Sequence, residues 1–366
     1  MESGIAPGYE ALSRSPNRED MPTLALTSVA DVRVVPPGEW DGLVLRLGGS
    51  DSYTGAAYYR ASALIEPAGT VPVLLHHVQD EDELALPLLL RPLPDGPGWD
   101  AVSAYGYGGP VATSEHGGEA FGTAFDEWAN VNGVITTFLR LHPLLGNARL
   151  VPSTAELVEI NSTVAWDVAP GRALPALMHP HHRRVARKAD RAGLEVVVIS
   201  QPPTLDGFRE LYDLTMRRRG ADAFYFFRAE YWEALLAERE ALGLLVVEGR
   251  LDGELVSALL CFSKGPWLHY HLGASSDSAR IIGASHRCFL AAAEWAQTRG
   301  MTRFHLGGGL GGDAPSSLFV FKHRFDPVTP PLRFHVAKFV HDRDRYRQLA
   351  GTESTNGYFP PWRRPS

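Results

Sequence analysis

Two stretches decide the fold: FDEWANVNGVITTFLRL at residues 125–141 and AAEWAQTRGMTRFHLGG at residues 292–308. They set Glu127, Trp128, Ala129 and Gly133 opposite Glu294, Trp295, Ala296 and Gly300 at one offset of 167. Their surroundings repeat as well. Upstream of the first, VPVLLHHVQDEDELALPLLLRPLPDGPGWDAVSAYGYGG reads as two strands around an acidic turn, a Gly/Pro break, and a third strand opened by Trp99. Upstream of the second, LGLLVVEGRLDGELVSALLCFSKGPWLHYHLGAS gives two strands around Asp252–Gly253, a Gly/Pro break, and a third strand opened by Trp267. Each half therefore reads hairpin, strand, helix, strand, and the spacing predicts a duplicated α/β unit.

That order, with a glycine-bearing turn between the third strand and the helix, resembles the central part of the GNAT acyltransferase fold. The expected architecture is α/β (α+β): two tandem GNAT-like domains, residues 23–168 and 169–366, with mixed sheets flanked by helices. Residues 1–22, polar and broken by Gly and Pro, read as a loose leader. The length of 366 residues fits two domains, and 45% hydrophobic against 21% charged residues fits a globular chain with real cores. No apolar run approaches a membrane span. Two cysteines, Cys261 and Cys288, are too few for a disulfide framework or a cysteine zinc site, so a reducing, cytoplasmic setting is expected. A net charge of −7 argues against a protein that coats nucleic acid, which leaves any polyanion to local basic segments.

One motif misleads. Residues Gly307 to Gly312 satisfy G-x-G-x-x-G. A dinucleotide domain needs several further βα units after its fingerprint, and the chain has room for only a helix and a strand. A P-loop would continue with Lys-Ser or Lys-Thr, where this chain has Asp313. The glycines Gly307, Gly308 and Gly309 are instead expected to let backbone approach a substrate closely and to deliver the helix SLFVFKHRF.

Three helices are predicted between the repeats. HPHHRRVARKADRAGL has Pro180 at its first position and Gly193 just past its end, and it stacks Arg183, Arg187 and Arg191 four apart with Arg184 and Lys188 beside them. LDGFRELYDLTMRRRG carries Phe208, Leu211, Tyr212 and Thr215 at i, i+3, i+4 and i+7, with Asp206 as its cap and Gly220 as its stop. AEYWEALLAEREALG follows.

With two such units in place, the chain resembles the Fem family, whose members join two GNAT-like domains and move an amino acid from aminoacyl-tRNA onto an amine. The likeness spans roughly residues 40 to 330. It rests on RKADRAGLEVVV, FRELYDLTMRRRGADAFYFF, LLVVEGRLDGELVSALL, HYHLGAS, FHLGGG followed by SLFVFKHRFDP, and, in the first half, DAVSAYGYGGPV and FLRLHPLLGNARL. No long coiled-coil arm is present, so the chain resembles the shorter members. The resemblance implies aminoacyl-tRNA as co-substrate, no other cofactor, and a small amine or peptide acceptor, from a natural-product pathway or a peptidoglycan precursor. It leaves the oligomeric state open.

The family places a lysine of a Phe-Lys pair near the reacting carbonyl, and Lys322 in FVFKHRF is the match. A cation there would stabilise the oxyanion formed when an amine attacks an ester. Family members use basic residues near Arg217, Arg218 and Arg219 for a diphosphate on the acceptor, although three arginines at a helix end are also favoured by the macrodipole alone. Arg183, Arg184, Arg187, Lys188 and Arg191 are candidates for tRNA phosphates, or a solubilising face. Tyr105 and Tyr107, beside Gly108 and Gly109, form a ligand wall or a tight bend. Arg140 and His142 end the strand equivalent to RFHLGG, which favours a site near the domain junction. His269 and His271 share one strand face; they are cleft or core residues, with one a proton acceptor, and two histidines without a third ligand argue against a metal.

Two rivals stand beside aminoacyl transfer. RIIGAS, from Arg280 to Ser285, loosely matches the R/Q-x-x-G-x-G/A turn on which GNAT enzymes hold the pyrophosphate of acyl-CoA. A non-catalytic duplicated binding module is the other.

Overall fold

The structure, a computed structural model, describes residues 26–115, 117–309 and 316–364. The leader expected at residues 1–22 and the second part of the glycine motif lie outside these. Thirteen strands run in chain order: β1 (Val32–Val34), β2 (Val71–Gln79), β3 (Asp82–Pro92), β4 (Trp99–Val102), β5 (Val111–Ala112), β6 (Val134–Arg140), β7 (Glu156–Asp167), β8 (Glu195–Ser200), β9 (Leu244–Leu251), β10 (Glu254–Phe262), β11 (Trp267–Ser275), β12 (Arg303–Gly307) and β13 (Leu332–Val340).

The hairpins are β2–β3 and β9–β10, and Asp80 (φ 54°) and Asp252 (φ 51°) take the left-handed turn conformation that matches strand twist. Both third strands begin at the anticipated tryptophans. From them the chain crosses over through helices Gly117–Val131 and Ala284–Thr298 to a parallel neighbour, β4 to β6 and β11 to β12.

The two sheets merge into one, in the order β1-β2-β3-β4-β6-β13-β7-β12-β11-β10-β9-β8, with β5 on β3. The last strand of each unit is exchanged. β7 follows β6 in the chain yet pairs with β12, and β13 follows β12 yet pairs with β6; the two exchanged strands pair with each other, antiparallel, at the centre. The halves expected at 23–168 and 169–366 therefore share their boundary strands, and each sheet is completed by the other's chain.

A continuous apolar core seals the junction. Tyr53, Tyr58, Tyr59 and Leu74 of the first half pack with Phe208, Tyr212, Tyr231, Trp232 and Phe262 of the second, each of them buried. At about 1.5–3 kcal/mol for each large side chain taken from water, this contact far exceeds what a flexible junction could hold.

The helices follow their sequence signals. Helix Pro180–Arg191 starts on its proline and ends ahead of Gly193 (φ 81°). Helix Asp206–Arg219 buries Phe208, Leu211, Tyr212 and Thr215 and stops at Gly220 (φ 58°). Asp206 is not its cap: the helix begins at that residue, and the Thr204 hydroxyl accepts the Asp206 N–H. The third stretch breaks into Ala229–Ala237 and Arg239–Leu242. After β12 comes helix Ser317–His323, and after β13 helix Arg343–Ala350. Among the described residues the longest helices have 15 residues, and none is long and apolar enough to cross a membrane.

Candidate active site

Lys322 lies near the end of helix Ser317–His323, whose first turn is capped by the Ser316 hydroxyl. The residue is 6% exposed, and its Nζ donates to the Gly308 carbonyl at 2.6 Å. Among the described residues it pairs with no carboxylate, and burial pulls its pKa down to about 7. The Tyr270 ring centroid lies 5.4 Å from Nζ.

Gly307 (φ 74°) is required here. A methyl on it would lie 3.2 Å from the Tyr107 hydroxyl and 3.5 Å from Lys322 Nζ. A methyl on Gly308 would lie 3.4 Å from Asn161 Oδ1, which is buried without a hydrogen-bond partner. Lys322, Tyr107, Gly307, Gly308 and Asn161 thus surround one spot with a cation, a hydroxyl and an amide. Gly309 is pressed on the helix itself, with the Ser316 Oγ 2.0 Å from where its Cβ would be.

Behind this spot lies a buried histidine layer at the junction. Asp51 Oδ2 is 2.6 Å from His269 Nε2, and Oδ1 accepts the Tyr53 N–H and lies 3.4 Å from His142 Nε2. His269 Nδ1 meets His305 Nδ1 at 3.4 Å, and His305 Nε2 meets Thr163 Oγ1 at 3.0 Å. Burial alone would push the Asp51 carboxyl up. The charges and hydrogen bonds of His269 and His142 outweigh it and hold the carboxyl well below the usual range.

Asp51, His142 and His269 have ligand atoms within 4.8 Å of one another, close enough for a metal. Their hydrogen bonds oppose that use. The Leu145 N–H donates to His142 Nδ1, which leaves the hydrogen on Nε2 facing Asp51, and a nitrogen that carries a hydrogen cannot ligate.

A cavity of about 550 Å³ opens on the other side of helix Ser317–His323. It is lined by Arg219, Arg280, Gly283, Ser285, His286 and Phe321, among others, at the start of helix Ala284–Thr298. Gly283 (φ 83°) could not be replaced, because Val185 Cγ1 sits 2.2 Å from where its Cβ would be. Tyr270 separates cavity and Lys322: its hydroxyl would touch a methyl on Gly273 of the cavity wall, and its ring faces Nζ. His286, backed by His182, has its pKa pulled down to about 3 by burial and by that neighbour.

Residues 180–315 match the family profile described as an acetyltransferase (GNAT) domain. The sequence matches no curated protein. Among solved structures, FemX superimposes with a TM-score of 0.65 at 14% identity, over 88% of this chain and 100% of that one. The C-terminal domain of a putative lysylphosphatidylglycerol synthetase from Agrobacterium fabrum gives 0.52 at 16%, covering 82% and 91%. A tandem GNAT protein from the clavulanic acid biosynthesis pathway gives 0.50 at 12%, covering 85% and 99%. The fold is that of the tandem GNAT proteins.

On this tandem GNAT frame the remaining candidates separate. Tyr107 is at the spot beside Lys322, but Tyr105 faces Phe224, Phe227 and His271 at 5.6–5.8 Å. His142 and His269 meet at Asp51 and do not reach Lys322. His271 belongs to the core: its Nδ1 is bonded to the Tyr53 hydroxyl at 3.1 Å and its Nε2 to the Tyr231 hydroxyl at 2.9 Å, so neither nitrogen is free for a substrate proton. Arg140 reaches only the Ser103 carbonyl, at 3.4 Å, and lies over the Phe138 ring; burial pulls its pKa down and no carboxylate neutralises it.

The three arginines part as well. Arg219 lines the cavity, Arg218 bonds the Ser275 carbonyl, and Arg217 is exposed. On helix Pro180–Arg191, Arg183 reaches three backbone carbonyls at 3.3–3.4 Å and Lys188 donates to the Ile281 carbonyl at 2.8 Å. Arg184, Arg187 and Arg191 stand out to solvent.

Asp51, Asn161, Thr163, Tyr270 and His305 escaped sequence reasoning. His305 had a signal: it sits inside FHLGGG, and parallel pairing of β11 with β12 sets it opposite His269. Asp51 gave only a short polar turn, with nothing to mark it as buried.

Proposed function

We propose that the chain is an aminoacyltransferase, which moves an amino acid from aminoacyl-tRNA to the amine of a small acceptor and forms an amide. The observation that carries this reading is Lys322. It is a buried amine held on a backbone carbonyl, with no described carboxylate to neutralise it, beside a turn whose glycines leave room for a substrate. The acceptor amine attacks the ester carbonyl, Lys322 in its charged form and the Tyr107 hydroxyl stabilise the tetrahedral oxyanion, and the ribose oxygen departs. An aminoacyl ester is already activated, so positioning and charge suffice for much of the rate. The printed names of FemX and of the lysylphosphatidylglycerol synthetase agree with aminoacyl chemistry on this fold. The exposed Arg184, Arg187 and Arg191 offer phosphate contacts about one helical turn apart.

Incubation with charged tRNAs and candidate amines, read by mass spectrometry, tests the proposal. Product that disappears after ribonuclease treatment supports it; product from acyl-CoA alone refutes it.

The cavity favours a second reading, an acyl-CoA-dependent N-acyltransferase. Arg280, Gly283 and Ser285 of RIIGAS all line it, and the backbone amides opening helix Ala284–Thr298 would face a pyrophosphate. Thermal stabilisation by CoA, with none by aminoacyl-tRNA, would establish that donor instead.

A further inference from the structure

Acyl transfer to an amine releases a proton. The acceptor is an ammonium ion at neutral pH, because an alkylamine titrates near the lysine value of about 10.4. For an ester donor the balance is RCO–OR″ + R′NH3+ → RCO–NHR′ + R″OH + H+. The C–N bond forms and the C–O bond breaks; nitrogen loses two protons, the leaving oxygen keeps one, and one leaves the site. A thioester donor gives the same balance. With two substrates bound, that proton needs a way out that does not pass through them.

We infer that Thr163, His305, His269 and Asp51 form this exit, a proton relay from the glycine turn beside Lys322 to a surface pocket at Asp51. The inference rests on the acyl-transfer reading and holds for either donor. Its inner end is Thr163, whose Cγ2 would lie 3.7 Å from a methyl on Gly308, the residue whose carbonyl holds Lys322. From there the steps are 3.0 Å to His305, 3.4 Å to His269 and 2.6 Å to Asp51. All four residues are 1% exposed. At the outer end Asp51 lines a cavity of about 260 Å³ with Asp41, Ser50 and Lys264. The side chains of Asp41 and Lys264 are 49% and 33% exposed, so this pocket reaches solvent.

The ring nitrogens suit a relay. Two facing Nδ1 atoms bond only when one carries the hydrogen and the other does not. A proton taken by His305 at Nε2 emerges from its Nδ1 to His269, which passes the one on its own Nε2 to Asp51. Thr163 only conducts, giving its hydrogen as it accepts another. The groups facing the chain are Tyr53 and Tyr107, with rings 5.1 Å from His269 and 4.9 Å from His305, and His142, His271 and Lys322. Burial first, then His269, His142 and Lys322, hold His305 neutral at rest, ready to accept. An ionised carboxylate this deep costs several kcal/mol, and apolar residues would serve packing better.

The full-length enzyme is assayed with its donor and two acceptors: an alkylamine, which must shed the extra proton, and hydroxylamine, which is already neutral at about pH 7. Thr163→Val keeps shape and removes one hydroxyl; His269→Gln removes a ring from the middle of the chain. Each lowers kcat for the alkylamine by roughly tenfold or more, leaves the donor KM unchanged, recovers toward about pH 9, and leaves hydroxylamine turnover near wild type. Equal losses with both acceptors in Thr163→Val, or loss with neither in both variants, overturns the relay. Wild-type inactivity with every donor would refute the transferase reading itself, a different result from an active wild type whose variants ignore the acceptor.

Discussion

Replacing Lys322 by Met should make the protein more stable and less active at neutral pH, and the stability gain should reverse at high pH. Each pKa unit is worth about 1.36 kcal/mol, so the drop from 10.5 to about 7 sets the cost of burying this charge at about 5 kcal/mol. The unfolded lysine stays protonated up to about 10.5, whereas the folded one releases its proton at about 7. Between these values the unfolded chain binds more protons, and wild-type stability rises with pH by up to about 1.36 kcal/mol per unit. Below both values the whole cost is paid. Met removes the cost but strands the Gly308 carbonyl, at about 1–3 kcal/mol. Lys322→Met should therefore be more stable by about 2–4 kcal/mol at about pH 6, equal near about pH 9, and less stable by about 1–3 kcal/mol at about pH 10.5. Urea unfolding followed by tryptophan fluorescence across this range measures the difference; every other titrating group is common to both proteins. The same variant should lose about 10²–10³ in kcat, the cost of removing one oxyanion-stabilising group. A variant less stable at about pH 6, or a difference that does not change with pH, would show that Lys322 is not a desolvated cation, and the oxyanion role would fall with it.

Arg184, Arg187 and Arg191 changed together to Ala should weaken aminoacyl-tRNA binding, measured by filter binding, and flatten the slope of log K against log salt by about 2–3, with no change in melting temperature. His271→Leu should leave the Tyr53 and Tyr231 hydroxyls buried without partners and cost about 1–3 kcal/mol for each in urea unfolding, while kcat per folded molecule stays at the wild-type value.

The repeat made the architecture legible, because Trp, Gly and hairpin turns report local geometry that a duplicated unit shows twice. Strand exchange was hidden for the same reason: two copies with identical local preferences do not say which copy completes which sheet. Lys322 was legible through its Phe-Lys setting and its place after the glycine turn. His271 shows the opposite case. It shares a strand face with His269, and only the tertiary approach of Tyr53 and Tyr231 gives one ring to the core and the other to Asp51. Charge density in helix Pro180–Arg191 was read correctly as a stripe, yet which cations are free depends on carbonyls that Arg183 and Lys188 meet from other segments.

Two similar units raise the question of two donor sites, and the offset of 167 answers it. Ser285 and Phe289 line the cavity of the second half. Their counterparts in the first half are Gly118 and Gly122. A methyl on Gly118 would lie 2.4 Å from the Leu150 carbonyl oxygen, and one on Gly122 would lie 2.6 Å from Pro152 Cβ. The chain returning from β6 thus lies directly on the backbone of helix Gly117–Val131, in the place where the second half keeps its cavity. In the second half Phe289 meets Phe321 of the returning helix at 5.8 Å, and side chains hold the two helices apart. One donor should therefore bind per chain. Titration calorimetry with the donor that supports turnover should give one site, and Gly283→Ala, which forces Val185 and the start of helix Ala284–Thr298 apart, should abolish it. A second site surviving in Gly283→Ala would mean that the first half binds donor despite its filled groove, and would refute the packing argument.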